Sequence, residues 1–517
     1  MIRHTVLRAA LCAGLLGGAA ACGGTPSTTP PPATPDAGKT PTSDRGKAAG
    51  SAEKPDALGP RPELPSAKVF TPPAPVVFES RSGIKVWLLE RHTLPLVSVS
   101  LSIPYGSASD PAGAAGLAYI TADMMDEGAG KRDAVDLSSA VNDLGATLSL
   151  GARVDGSIAA LTVLKKNFDP AFSIFADVVA RPRFDPKEWK RVSDLWQNGL
   201  RKRGDDPAQV ARVVSGAALY GPGTPYGHPS DGLIADAQKI KLPDLKAFYQ
   251  ATWRPDRATL VVVGDITKDE VLKALDRDLA GWKAPKKAAP PEVVPTASTS
   301  WKPPRLLLVD RSEAPQSMIM VMRSGVPASD PRAPLLDLIN TALGGSFTSR
   351  LNQNLREEKG WTYGAGSAFT ETRGQGAFLA RAAVVAEATG PALKEMIGEL
   401  TKMADAGLTP EEFSKVRAQD RADLVENYET TGRTAQRLAT LALLGLPPAH
   451  DATATEARQK STLAQLAELA SAVDPRAATV VVVGPRAQIE PQLKALQLGE
   501  PVVWDVEGQP SGAKTTP

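Results

Sequence analysis

The stretch LVSVSLSI at residues 96–103 alternates apolar and small polar positions, the period of a strand with one face in a core. Ser109-Asp110-Pro111 breaks that run, and Gly116 to Glu127 then reads as a helix with an apolar side. Ala159 to Leu164 reads as a short strand, and Pro170 to Val179 and Pro186 to Arg203 as helices. Pro186 and Glu188 both suit the first turn of the second helix. The valine runs ATLVVVG at 258–264 and ATVVVVG at 478–484 read as buried strands. Strands and helices therefore intermix, which predicts an α+β fold.

The pattern occurs twice. VWLLERHTLPLVSVSLSIPYGSASDP at 86–111 is answered by LLLVDRSEAPQSMIMVMRSGVPASDP at 306–331, an offset of 220 residues. Arg91 matches Arg311, Pro95 matches Pro315, and Ser109-Asp110-Pro111 matches Ser329-Asp330-Pro331. The two valine runs share the same offset, and DPKEWKRV at 185–192 resembles TPEEFSKV at 409–416. Several matches in one order indicate an internal duplication. The Pro- and Ser-rich stretch 288–302 reads as the linker between copies at 76–287 and 303–505.

Composition changes this picture at the ends. Residues 1–21 carry Arg3 and Arg8 before a small, apolar run that is too short to span a membrane, so they read as an export signal. The run ends in Ala-Ala-Ala-Cys22-Gly, which resembles a bacterial lipobox and would make Cys22 a lipidated first residue. The other reading is cleavage after an A-x-A site, leaving a soluble export product. Residues 22–75, rich in Pro, Thr and Ser, read as a tether, and 506–517 as a flexible tail. On the lipoprotein reading the chain is anchored in the bacterial cell envelope, at the outer membrane facing the periplasm. Cys12 leaves with the signal, so no mature cysteine remains for a disulfide or a metal. Lys plus Arg is 59 against 57 Asp plus Glu, which gives no electrostatic case for nucleic acid.

Three further stretches carry a resemblance. They are GLAYITADMMDEG at 116–128, YGPGTPYGHPSDG at 220–232, and GGSFTSRLNQNLREEKGWTYG at 344–364. With the duplication, they resemble the M16 (insulinase or pitrilysin-like) metallopeptidases, in the shorter branch similar to mitochondrial processing peptidases. The resemblance covers roughly residues 76–500 and implies two homologous α/β sandwich halves, each a mostly antiparallel sheet covered by helices.

In that family the first half carries H-x-x-E-H on a helix, where two His one turn apart bind zinc and the Glu acts as general base. A further Glu about 80 residues on completes the site. Here the corresponding positions hold Tyr119, Ala122, Asp123 and Gly199. A neutral phenol, a methyl group, one carboxylate and a bare glycine do not make a tetrahedral site. His92, His228 and His450 are far apart and form no ligand-spaced pair. No metal or other cofactor is therefore expected in this chain, although a divergent site built from distant residues stays open.

The second half keeps what the family uses there: an Arg and a Tyr seven residues apart, here Arg356 and Tyr363. The resemblance implies that Arg356 donates to a peptide carbonyl or carboxylate, and that the Tyr363 hydroxyl bonds the oxygen that gains charge during attack. Gly344, Gly345, Ser346 and Arg350 are candidate substrate-lining residues. The plain structural alternative pairs Arg356 with Glu357 or Glu358 and packs Tyr363 in the core. The resemblance implies a zinc-free subunit whose partner is a homologous M16 chain with an intact H-x-x-E-H and its zinc. Together they would hydrolyse unfolded peptides. The rival readings are a catalytically inactive, lipid-anchored scaffold or peptide-binding protein, and a self-sufficient enzyme with an unorthodox metal site.

Overall fold

The computed structural model describes residues 70–511 except 288, 291 and 296–299. The expected signal, Cys22, the tether up to residue 69 and the last six residues lie outside the described residues. Among the described residues no helix is long and apolar enough to cross a membrane.

The first sheet contains β1 (Val76–Glu79), β2 (Lys85–Glu90), β3 (Leu96–Ile103), β4 (Thr147–Ala152), β5 (Ser157–Leu164) and β6 (Thr259–Gly264), in the order β1-β2-β6-β3-β5-β4. The second contains β7 (Leu306–Asp310), β8 (Gln316–Ser324), β9 (Thr362–Phe369), β10 (Ala377–Val385), β11 (Thr479–Gly484) and β12 (Val502–Trp504), in the order β12-β7-β11-β8-β10-β9. Copy for copy the orders coincide, and each valine run is a parallel neighbour of its half's first long strand. Only one edge differs. In the first half β1 precedes β2 and runs antiparallel to it, whereas β12 arrives from the far end of the chain and runs parallel to β7. The helices expected around 116–127, 170–179 and 186–203 are Leu117–Met125, Phe168–Ala180 and Pro186–Arg203.

The central strands of each sheet are buried on both faces, and the two faces are covered differently. Val97, Val99, Leu101 and Ile103 of β3 point into a core made by the first half's own helices. Ser98, Ser100 and Ser102 point the other way and are equally buried. Their cover is helix Thr431–Leu443, supplied by the second half, which packs Ala435, Leu438, Ala439 and Leu441 on Trp87, Val261 and Val263. Reciprocally, helix Pro207–Tyr220 of the first half packs Val210, Ala211, Val214 and Ala218 on Met318, Met320, Met322, Val481 and Val483. This exchange explains the unbroken valine runs, since every residue of a doubly covered strand is in a core. The serines of β3 stand 220 positions before the methionines of β8. The two covered faces therefore differ in bulk: serines of β3 lie under the helix of the second half, where Ser98 bonds Thr431 (3.0 Å), and methionines of β8 lie under the alanines and valines of the first half's helix. At about 1.5–3 kcal/mol per fully buried Val or Leu, each exchanged helix contributes several kcal/mol.

The duplicated arginines also reach across. Arg91 donates to the carbonyl of Tyr428 (2.8 Å), at the end of helix Pro410–Glu429, where the helix dipole favours a cation. Arg311 lies 3.6 Å from Asp205, just past helix Pro186–Arg203. The tail departs from expectation at residues 506–511, which fold back on β12. The Ser511 N–H donates to the Val503 carbonyl (2.9 Å), and Glu507 accepts from Arg203 (3.3 Å) and the Ile234 N–H (3.1 Å). Its polar composition concealed two anchors: Val506 packed on the apolar cluster under helix Pro207–Tyr220, and Glu507 set against the buried Arg203.

Candidate functional site

Helix Leu117–Met125 starts from Gly116, whose φ of +96° and whose 2.7 Å clearance from Trp196 to an added Cβ leave room for glycine alone. Asp110 accepts from the N–H groups of Gly116 (2.7 Å) and Ala118 (2.8 Å), satisfying donors that the first helical turn leaves open. On this helix Tyr119 is half-buried, with its ring 6.5 Å from that of Trp196. Ala122 is 0% exposed and belongs to the first core. Asp123 lies at the surface, yet the surrounding protein withdraws enough water to push its carboxyl up to about 6, helped by Glu127 and opposed by Arg191. Gly199 sits on the exposed side of helix Pro186–Arg203, and an added Cβ there meets nothing within 4 Å.

The structure thus brings Tyr119, Asp123 and the Pro186–Arg203 helix into one region, but the donor set does not fit zinc. One ligand position is a phenol packed near an indole, another has no side chain, and the base position is a methyl group in the core. Among the described residues no group of three His, Cys, Asp or Glu is placed to hold a metal ion.

In the second half the segment 341–363 is built from close approaches. Thr341–Gly345 and Gln353–Glu358 wind as wide π-type turns, a form concentrated at functional sites. Gly344 runs so near β9 that an added Cβ would lie 2.3 Å from the Ser367 nitrogen, and at Gly345 it would lie 2.8 Å from the Asn340 amide. Ser346 donates back to the Thr341 carbonyl (3.1 Å). Asn352 ties the loop to β9 by donating to the Phe347 carbonyl (2.7 Å) and accepting from the Ala365 N–H (3.2 Å). Gly360, with φ +66°, ends the turn, and its N–H donates to the Arg356 carbonyl (3.1 Å).

The four polar candidates of this segment separate. Arg350 is committed to the fold, forming a two-pronged pair with Glu412 (2.7 and 2.6 Å) and a bond to the Gly407 carbonyl (2.8 Å). Ser346 serves its own loop. Arg356 is partly exposed, its guanidinium 4.6 Å above the Phe347 ring and 3.4 Å from Glu357. Tyr363 is 91% exposed, which excludes a core role. Its exposure has a local cause. The pairing of β9 with β10 skips between Thr362 and Ala365, and the resulting bulge, held by Thr362 and Gly364 bonding each other, turns Tyr363 outward.

Sequence reasoning missed Phe347, which is 61% exposed and carries the Arg356 cation, and Trp361, under Lys359. An aromatic among the small polar residues of GGSFTSRL was the available signal for Phe347. The loop 347–361 and the start of edge strand β9 therefore carry two basic groups, Arg356 and Lys359, and three aromatic rings, Phe347, Trp361 and Tyr363. An exposed Arg–Glu pair contributes little, so Arg356 can exchange Glu357 for a ligand oxygen at small cost. The Tyr363 phenol offers a donor to an oxygen approaching that edge.

Two family descriptions match: Insulinase (Peptidase family M16) over residues 85–212 and Peptidase M16 inactive domain over residues 239–419. An uncharacterized zinc protease of Mycobacterium tuberculosis is 26% identical over 66% of this chain and 77% of its own. A non-peptidase homolog of Helicobacter pylori is 23% identical over 58% of this chain and 65% of its own. Among solved structures, a peptidase M16 inactive domain from Pseudomonas fluorescens superposes with a TM-score of 0.72 at 24% identity, covering 80% of this chain and 98% of that one.

Proposed function

This chain belongs to the M16 (insulinase) peptidase family, and we propose that it is the zinc-free partner subunit of a heterodimeric peptidase of that family. The observation that carries this reading is the contrast between its two signatures. Arg356, on the turn Gln353–Glu358, is partly exposed and Tyr363, on edge strand β9, faces solvent, while the positions of the family's zinc ligands hold groups that do not fit the metal. The zinc and its activated water would belong to the partner, a homologous M16 subunit with an intact H-x-x-E-H. Arg356 would hold a carbonyl or carboxylate of an extended, unfolded peptide. The Tyr363 hydroxyl would face the carbonyl oxygen that gains negative charge as the peptide bond is attacked. Cys22 would carry lipid, and the Pro-rich tether would hold the folded body away from the membrane in the bacterial envelope.

The test is peptide hydrolysis by the chain alone and after mixing with a homologous subunit that carries H-x-x-E-H. The lone chain should bind no stoichiometric zinc and cleave nothing, and the mixture should cleave. Tyr363→Phe should lower kcat of the mixture by about 10²–10³-fold, the typical loss of one donor to a developing oxyanion. Arg356→Ala should act mainly on KM. Zinc at one equivalent with cleavage by the lone chain would overturn the reading. A mixture indifferent to both substitutions would favour a catalytically inactive scaffold or peptide-binding protein, a role in keeping with the name of the Helicobacter pylori homolog.

A further inference from the structure

The loop YGPGTPYGHPSDG is absorbed by neither signature, and its Tyr226 lies where the two halves meet. The turn between β4 and β5 and the turn between β9 and β10 are equivalent positions of the duplicated fold, and here they touch. Asp155 of the first turn is 8% exposed. Its carboxylate accepts from the Tyr226 hydroxyl (2.6 Å) on one oxygen and from the Arg373 backbone N–H (2.9 Å) on the other. The Tyr226 oxygen in turn accepts from the Gly374 N–H (2.9 Å), which closes the ring. We propose that Asp155, Tyr226 and the Arg373–Gly374 turn form a latch that fixes the angle between the two halves.

Four further contacts converge on the same point. The Arg373 guanidinium donates to the carbonyl of Leu443 (3.1 Å), at the end of the helix that covers the first sheet, and to Glu292 (2.9 Å) in the connection between halves. The Gln375 N–H donates to the Pro295 carbonyl (2.9 Å). Tyr105, fully buried at the end of β3, donates to the Pro290 carbonyl (2.7 Å). There is no slack in this junction. An added Cβ on Gly374 would lie 2.2 Å from the Pro295 oxygen, and one on Gly156 would lie 2.4 Å from Leu443. Burial raises the Tyr226 hydroxyl above its ordinary value, with the charge of Asp155 adding to it, so the phenol remains a donor. A buried carboxylate that accepts one bond from each half leaves an orphaned donor on both sides when removed. The turn that carries Arg373 also ends the hairpin bearing Tyr363, so the first half takes part in setting where that hairpin points.

The latch is tested without any partner or substrate, so its outcome is independent of the proposed peptidase role. Spin labels are placed at Leu195→Cys and Phe347→Cys, both exposed and one in each half, in the full chain with Cys12 and Cys22 replaced by Ser. Distances are then read by pulsed electron resonance. The parent should give one narrow distribution. Asp155→Ala and Tyr226→Phe should each broaden it at least twofold, while circular dichroism stays native. Parent-like widths in both variants would overturn the latch, and so would a lowered melting temperature with no broadening, which marks a merely structural contact. Should Asp155→Ala fail to fold, Tyr226→Phe decides alone, since it keeps the ring that packs edge-on against Tyr220 at 5.4 Å.

Discussion

On helix Leu117–Met125 the signature positions are absorbed: Ala122 lies in the core and Tyr119 rests beside Trp196. On the segment leading into β9 they divide, with Arg350 held inside the fold and Arg356 and Tyr363 displayed. The two regions come from equivalent halves, yet one has turned its chemistry into packing while the other devotes glycines, π-type turns and a bulge to presentation. Presentation has a structural cost that packing does not. Close approaches such as Gly344 to Ser367 restrict which residues are allowed there.

This contrast can be broken in several ways. The largest effect is expected at Ala122→Glu, which puts a carboxylate into the first core and should lower stability by about 3 kcal/mol or more in urea unfolding. Parent-like stability of the Ala122→Glu variant would mean that this position opens onto a site. Next, Arg350→Ala leaves Glu412 partly buried without its partner and should lower stability by about 2 kcal/mol, whereas Arg356→Ala should stay within about 0.5 kcal/mol. Equal losses would erase the distinction between an arginine held and an arginine offered.

The duplicated Ser-Asp-Pro motifs sharpen the comparison through pH. Burial raises the Asp110 carboxyl to about 7, despite the helix N–H groups bonded to it, while Arg332 holds Asp330 below its ordinary value. A raised carboxyl binds its proton more tightly in the folded chain. Its share of stability is therefore lost as pH climbs from about 4 to about 7. The Asp330 share is present above about pH 4 and lost as pH falls through the lowered value. Denaturation midpoints measured across pH should show Asp110→Asn flattening the upper slope and Asp330→Asn the lower one. The smallest effect is expected for Tyr363→Phe, which should shift stability by less than about 0.5 kcal/mol because the ring touches so little.

Much of the fold was legible because duplication doubled each signal. Strand β3, the helix Pro186–Arg203 and both valine runs carry their period in the sequence. The exchange of helices did not show. Ser98, Ser100 and Ser102 look like a solvated strand face, and only a helix more than 320 residues away buries them. The spacing of Arg356 and Tyr363 was readable, but not the bulge that exposes the tyrosine, because register depends on the partner strand. The tail misled for a similar reason. Its residues are polar, and what orders them is the carboxylate of Glu507 meeting Arg203 from the other half.

The reciprocal cover also limits how this chain can be cut or joined. Severed in the 288–302 connection, each piece would carry an apolar helix with nothing beneath it and a sheet face with nothing above it. The two fragments are therefore complementary halves of one cooperative unit. Mixed in solution they should reassociate without the peptide link. A connection too short to let the helices cross within one molecule would drive them to cross between two, turning an internal exchange into a domain-swapped dimer.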